Sequence, residues 1–234
     1  MKRDGSGRPD EQSLLLPIYG WVCLAVMFFF QMAAFCGTRA LIAGRTLHDL
    51  SLPLDGRIPL RCEWVSIYVL SYVSWAVSAL RILPHGKARA YRVASVYIAG
   101  MLMAAATFLI WPGTIQRPGI TGGGLWAAML RWIYRVDPPT SLCPSLHVMV
   151  SFFCWWGTWD CPGIGRGFRW FNGVFLILVC LSVLLVKQHA VVDVIAGLAE
   201  GALAIPASRW LRLEGAFEAA ERRLGGIFEN RRAA

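Results

Sequence analysis

The chain has 234 residues, of which 56% are hydrophobic and only 16% are charged, and its mean hydropathy is +0.51. Soluble globular domains carry about 25% charged residues, so this composition argues against an ordinary soluble protein. The net charge of +9 and the 11 Trp residues would also suit nucleic-acid binding, but the apolar excess favours a lipid bilayer as the partner, and we expect no nucleic acid.

Stretches without Asp, Glu, Lys or Arg mark the candidate membrane helices, because a bilayer core needs about 20 mainly apolar residues per helix. Five such windows cover residues 12–38, 64–80, 93–116, 138–159 and 170–186. A sixth apolar stretch, 189–211, contains Asp193 and Glu200, which we expect to face protein rather than lipid. The sequence therefore predicts an all-α, six-helix membrane bundle.

The domain boundaries follow from these windows. Residues 1–12 are predicted to form a cytoplasmic tail, residues 13–213 the six-span membrane domain, and residues 214–234 a cytoplasmic C-terminal tail. The first window is longer than the apolar region of a signal peptide, and Phe35 and Cys36 do not fit a small-residue cleavage site. We therefore expect this window to be a retained membrane helix.

The distribution of basic residues predicts the orientation. If the amino terminus is cytoplasmic, 15 of the 23 Lys and Arg residues lie on the cytoplasmic side. The positive-inside rule then predicts that both termini are cytoplasmic, in the plasma (inner) membrane. The connections between spans three and four and between spans five and six consequently share the extracytoplasmic side.

The connection between spans three and four contains a candidate interfacial helix over residues Leu125–Val136. Leu125, Met129, Trp132 and Ile133 are predicted to lie around one side of it. We interpret this segment as a helix lying on the membrane surface, and a packed loop helix is the alternative.

The connection between spans five and six contains His189 and Asp193. Four residues apart, they would share a helix face, so the carboxylate could accept from one imidazole nitrogen and leave the other free. A nucleophile or general base needs such an oriented imidazole. The alternative is a polar pair that satisfies itself between two helices.

The fourth window contains Pro144, Ser145 and His147 where its helix is expected to start. The first amides of a helix have no internal partners and form a natural anion site. Ser145 could donate to a phosphate oxygen, and His147 could deliver a proton to a leaving oxygen. An N-cap serine beside a boundary histidine is the alternative.

Arg117 and Lys187 add positive charge to the same predicted face. With the two histidines they would form a cationic pocket suited to a phosphate group. Either side chain could instead contact lipid headgroups by snorkelling. The seven cysteines form no Cys-x-x-Cys pair, and we expect neither metal nor cofactor, although Cys36 and Cys62 could pair in an oxidising compartment.

Taken in chain order, the three polar segments resemble the motifs of the type 2 phosphatidic acid phosphatase superfamily. The resemblance extends over nearly the whole chain. The matching residues are Arg117 and Pro118, then Pro144, Ser145 and His147, then Ser182, His189 and Asp193. Three motif positions differ, because Ile110 replaces a lysine, Leu146 a glycine and Val183 an arginine. Lys187, one helical turn after Val183, is expected to supply one replacement charge, and the variant resembles the branch that includes inositol phosphorylceramide synthase-like proteins.

The resemblance implies a membrane enzyme for lipid phosphates that works through a phosphohistidine intermediate. His189 would attack phosphorus, Asp193 would orient it, and His147 would protonate the departing alcohol. Arg117, Ser145 and Lys187 would hold the phosphoryl oxygens. Metal is not needed in this scheme.

Several functions stay open on the sequence alone. Water would resolve the intermediate in a phosphatase, whereas an alcohol acceptor would resolve it in a lipid phosphotransferase. An inactive lipid-binding member and a transporter are further alternatives, although transporter sites usually lie near the bilayer midplane rather than at helix starts. A second copy of the chain is a possible partner in a homo-oligomer.

Overall fold

A computed structural model describes residues 16–232 of the chain. The predicted tail at residues 1–12, the first residues of the 12–38 window and the last two residues of the predicted C-terminal tail lie outside this range.

Eight helices, α1 to α8, account for most of the described residues. In chain order they cover Ile18–Leu41, Val65–Ile82, Lys87–Ile110, Leu125–Val136, Leu146–Trp159, Arg166–Leu185, Val191–Trp210 and Leu213–Arg232. The first of them contains a π-helical turn at Ala33–Gly37. Two short strands, β1 at His48–Asp49 and β2 at Gly113–Thr114, pair in parallel. The prediction of an all-α chain is confirmed.

Five helices in the described range, α1, α2, α3, α6 and α7, are long and apolar enough to cross a membrane. The second of them gains length from a 3₁₀ turn at Cys62–Trp64. This is the pattern of a helical membrane protein, since only helices or closed barrels satisfy their backbone hydrogen bonds inside lipid.

The window at 138–159 forms a shorter helix than its lack of charge suggested. Helix α5 has only 14 residues and begins at Leu146. Pro138, Pro139 and Pro144 explain the late start, because proline has no amide hydrogen to donate and restricts the residue before it. Pro144 was expected at an early helical position, but it lies outside the helix, with Ser145 at the N-cap.

Helix α5 lies at the centre of the bundle. It packs against α2, α3, α6 and α7, and ten of its 14 residues are buried. Helix α1 packs mainly along α3, at the periphery. The central helix therefore has a largely protein environment, which removes the need for a long apolar surface of its own.

Helix α4 buries Ala127, Leu130 and Ile133, which pack near the start of α2, and leaves Leu125 and Trp132 exposed. The helix predicted over Leu125–Val136 forms with these bounds, and on its predicted apolar side Ile133 is buried while Leu125 and Trp132 are exposed. An exposed apolar surface next to a buried one is typical of a helix held between a bundle and a membrane interface.

Several loops meet at one end of the bundle. The β1–β2 pair joins the loop after α1 to the loop after α3. Arg61 N–H donates to the carbonyl of Leu185 at 2.9 Å, joining the start of α2 to the end of α6. The ends of α1, α3 and α6 therefore lie beside the starts of α2, α5 and α7.

Gly197 of α7 lets this helix approach the start of α5. A Cβ at this position would lie 2.8 Å from the carbonyl oxygen of Ser145. That distance is too short for a real contact, so any side chain here would push the Ser145 turn away.

We therefore expect Gly197→Ala to lower the free energy of unfolding by about 1–3 kcal/mol, as overpacking usually does. The matched control is Gly167→Ala in the first turn of α6, where a Cβ meets no atom within 4 Å among the described residues. Thermal unfolding in detergent measures both. Equal stability of the two variants would contradict the close approach of α7 to α5.

Candidate active site

His189 lies in the turn between α6 and α7, and Asp193 lies in the first turn of α7. Nδ1 of His189 is 3.2 Å from Oδ2 of Asp193, whose side chain is fully buried. The same oxygen accepts the backbone N–H of Ala190 at 2.9 Å. The pair exists as predicted, but the expectation of a shared helix face is wrong, because the turn brings the imidazole back over the helix start.

This contact determines the chemistry of the imidazole. An ionised carboxylate can only accept hydrogen bonds, so Nδ1 of His189 must carry the hydrogen. Nε2 is then the nitrogen with the free lone pair in the neutral ring. The side chain of His189 is 10% exposed, so this nitrogen belongs to a largely enclosed imidazole.

His147 lies in the first turn of α5 and is held by aromatic side chains. Its ring stacks on Tyr68 with centroids 4.1 Å apart, and its Nε2 is 3.1 Å from the hydroxyl of Tyr72. The centroids of the His147 and His189 rings are 6.3 Å apart. The two predicted histidines therefore face a common space at one end of the bundle.

Two cavities meet at His189. The first, here called the histidine cavity, has a volume of about 100 Å³ and is lined by both histidines, Tyr72, Asp137 and apolar residues of α1. The second, here called the polar cavity, has a volume of about 540 Å³ and is lined by His189, Arg117 and Lys187 among others. The imidazole of His189 forms the boundary between the two.

Arg117 is held in the polar cavity by neutral acceptors. One Nη donates to the carbonyl of Asp137 at 2.6 Å, and the other donates to Oε1 of Gln188. Burial lowers the pKa of the guanidinium, and the nearby carboxylate of Asp137 opposes that shift. The guanidinium stays charged at neutral pH because the ordinary pKa of arginine lies far above neutrality.

Lys187 adds a second cation to the polar cavity. Its Nζ donates to the backbone carbonyl of Asp55 at 2.6 Å. Burial lowers the pKa of the ammonium group, and the Asp55 carboxylate opposes that shift. Among the described residues, neither Lys187 nor Arg117 forms an ion pair with a carboxylate. Both charges therefore remain available to an anion.

Ser145 is not brought to either cavity. It is fully buried at the N-cap of α5, and its backbone N–H donates to the carbonyl of Asp193 at 3.0 Å. Its hydroxyl has no partner among the described residues, so it does not cap the helix. Ser145 joins the starts of α5 and α7, which is a different role from the predicted phosphate contact.

Sequence reasoning missed four polar residues of this region. Tyr72 contacts His147, and Gln188, which is 1% exposed, holds Arg117. The Asp55 carboxylate accepts the N–H of Val191 at the start of α7. Asp137, whose carboxylate pairs with Arg39 at 3.2 Å, lines the histidine cavity. Of these four residues, only Gln188 could have been found from the sequence, because it lies between the predicted site residues Lys187 and His189.

The described residues contain no cluster of three or more His, Cys, Asp or Glu side chains that could hold a metal ion. All seven cysteines are free, so Cys36 and Cys62 are not joined. The polar side chains that line this region are imidazole, carboxylate, phenol and cationic groups.

Comparisons of the chain with models of known protein families, with curated proteins and with solved structures find no match. The geometry of the site combines an imidazole oriented by a carboxylate, a second imidazole nearby and two cations without carboxylate partners. Such a set suits an anion that reacts at its centre.

We expect Arg117→Met and Lys187→Met each to weaken the binding of inorganic phosphate roughly tenfold or more. A hydrogen bond to a charged group contributes roughly 1.5–3 kcal/mol, and about 1.4 kcal/mol corresponds to tenfold. Titration calorimetry of the purified protein measures the dissociation constant. Arg131→Met is the matched control, because Arg131 is a half-buried cation outside the lining of the polar cavity that donates to the carbonyl of Gly122 instead. Equal affinities in all three variants would contradict the polar cavity as the anion site.

Proposed function

We propose that this protein is a membrane-embedded lipid phosphate phosphatase that hydrolyses its substrate through a phosphohistidine intermediate. One observation carries the proposal. His189, oriented by Asp193, lies with its ring centroid 6.3 Å from that of His147 and lines the cavity that holds Arg117 and Lys187. We further propose that the chain is a member of the type 2 phosphatidic acid phosphatase superfamily, on the motifs described above.

In the first step, Nε2 of His189 attacks phosphorus, a P–N bond forms, and the P–O bond to the lipid alcohol breaks. His147 gives its proton to the departing oxygen. That oxygen takes the place that the Tyr72 hydroxyl occupies beside Nε2 of His147. Asp193 stabilises the cationic imidazole, and Arg117 and Lys187 neutralise charge on the phosphoryl oxygens. Water then attacks phosphorus, the P–N bond breaks, and His147 regains a proton.

Hydrolysis is the outcome that we propose. Its volume of about 540 Å³ leaves room for water beside His189. Transfer to a lipid alcohol is the runner-up, because the same cavity could admit a small hydroxyl-bearing acceptor. Analysis of the products separates the two, since hydrolysis releases free phosphate and transfer yields a new phospholipid.

We infer that α5 completes a six-span bundle with the five long apolar helices. Its 14 residues rise about 21 Å, which is less than a bilayer core of about 30 Å. However, Asp160 after its end pairs with Arg92 near the start of α3 at 3.1 Å, so α5 reaches the end of the bundle opposite the histidines. With both termini cytoplasmic in the inner membrane, the site then opens on the extracytoplasmic side.

We expect purified protein to release phosphate from lipid phosphates without added divalent metal and His189→Ala to abolish this release, because the variant lacks the attacking nitrogen. A malachite-green assay measures free phosphate. His48→Ala is the control, because His48 lies at the same end of the bundle but stacks on Trp111. Unchanged turnover in His189→Ala would contradict the proposed role of His189 as the nucleophile.

The proposed role of His147 as an acid predicts a dependence on the leaving group. His147→Ala should lower turnover of an alkyl phosphate by roughly 10²–10⁴-fold, the usual contribution of general acid catalysis. Turnover of p-nitrophenyl phosphate should fall far less, because its leaving group needs no proton. Equal losses for the two substrates would contradict the role of His147 as the acid.

A further inference from the structure

A third cavity, here called the apolar cleft, lies between α1, α2, α3 and α5. It has a volume of about 120 Å³, and its lining includes Leu24, Met27, Ala79 and Phe153. Helix α1 packs mainly on α3, which leaves this space between α1 and α2. The cleft thus offers an apolar surface inside the bundle, where a hydrocarbon chain would be as well solvated as in lipid.

The apolar cleft adjoins the histidine cavity. Gln31 of α1 and Trp75 of α2 line both of them. A molecule whose phosphorus contacts His189 can therefore extend past Gln31 toward Leu24, which lies seven residues, or about 10 Å, further along α1. This path joins a polar site to an apolar one, as an amphipathic ligand requires.

Gln31 is a polar side chain at the junction of the two cavities. Its Oε1 accepts the hydroxyl of Tyr97, so its amide nitrogen is the end left to donate. A polar group within a membrane helix is costly and usually serves a function. A donor at this position can meet an acceptor on a ligand that lies between the histidines and the apolar cleft.

We propose that Gln31 binds the polar linker of a lipid phosphate and that the apolar cleft binds its hydrocarbon chain. This proposal rests on the proposed function, because the reacting phosphate places the linker beside Gln31. The linker is an ester carbonyl, an amide or a hydroxyl a few bonds from the phosphate. A glycerol ester and a sphingoid amide both provide such an acceptor, whereas a polyprenyl phosphate does not. Gln31 therefore determines specificity between these classes.

Rates with three substrates test the role of Gln31. We expect phosphatidic acid and ceramide phosphate to exceed farnesyl phosphate in kcat/KM by roughly three- to tenfold, as one neutral hydrogen bond contributes. Gln31→Leu should remove this preference. The preference is measured in the unmodified protein, Gln31→Leu is combined with Tyr97→Phe so that no hydroxyl is left without its acceptor, and Tyr97→Phe alone is the control. A preference that survives Gln31→Leu would overturn the role of Gln31, and a preference for only one acceptor-bearing lipid identifies its linker as the one bound.

Filling the apolar cleft tests the position of the chain. Ala79→Phe should lower kcat/KM at least tenfold for long-chain phosphatidic acid but not for p-nitrophenyl phosphate, which has no chain. Val77→Phe is the matched control, because Val77 lies on the same helix, is 41% exposed and is not part of the cleft lining. Equal effects of the two variants on the long-chain substrate would overturn the proposed chain site.

A binding measurement separates this proposal from the proposed function. Phosphatidic acid with a photoreactive diazirine at the chain end should label α1 and α2 near Leu24 and Ala79 even in His189→Ala, which lacks the nucleophile. Ala79→Phe should suppress that labelling. Labelling without turnover in the unmodified protein would reject the phosphatase and keep the chain site, whereas turnover with unsuppressed labelling would reject the chain site alone.

Discussion

Asp193 is the residue on which the candidate site depends. Its carboxylate contacts Nδ1 of His189 and accepts the N–H of Ala190, while its backbone carbonyl accepts the N–H of Ser145. One fully buried residue thus fixes the turn before α7 and the start of α5 together. Because His147 follows Ser145 by two residues, the same contacts determine the separation of the two imidazoles. The close approach of Gly197 to Ser145 supports this arrangement from the next turn of α7.

The polar groups are divided between two environments. Arg117 and Lys187 lie on one side of His189, held by carbonyl and amide oxygens that leave their charges uncompensated by direct ion pairs. On the other side, Tyr68 and Tyr72 enclose His147 beside apolar residues of α1. A charged phosphate suits the first side and the organic part of a substrate suits the second. This asymmetry is what we expect where chemistry takes place on the headgroup of a lipid.

The sequence predicted much of the helical architecture but few boundaries. Four of the five uncharged windows and the sixth apolar stretch, which carries Asp193 and Glu200, correspond to the five long apolar helices, because the length that a bilayer requires is a strong constraint. The start of α5 was expected among Pro144, Ser145 and His147 and lies at Leu146, although the uncharged window begins at residue 138, because a count of charges alone ignores the prolines before Ser145. The bounds of α4 were predicted but its burial was not, because Leu125, Trp132 and Ile133 are all apolar and only packing decides which of them is buried.

The sequence predicted which chain connections lie at the same end of the bundle. It did not predict which polar residues within the helices line the cavities. The parity of the predicted spans placed Arg117, His147 and His189 at one end, and the loops do meet there. Ser145 resembled a ligand in its motif but is buried by α7, a long-range contact that the sequence does not reveal. Tyr72 and Gln31 lie inside apolar helices, where their partners depend on how the helices rotate against each other.

The most direct test of the account is the chemical trapping of the intermediate. Purified protein would be mixed with a lipid phosphate labelled with ³²P, quenched in base within milliseconds and digested for mass spectrometry. The account predicts an acid-labile, base-stable phosphoryl group on His189, which is absent from His189→Ala and retained in His48→Ala. Phosphate release without any labelled histidine, or label on another residue, would contradict the account.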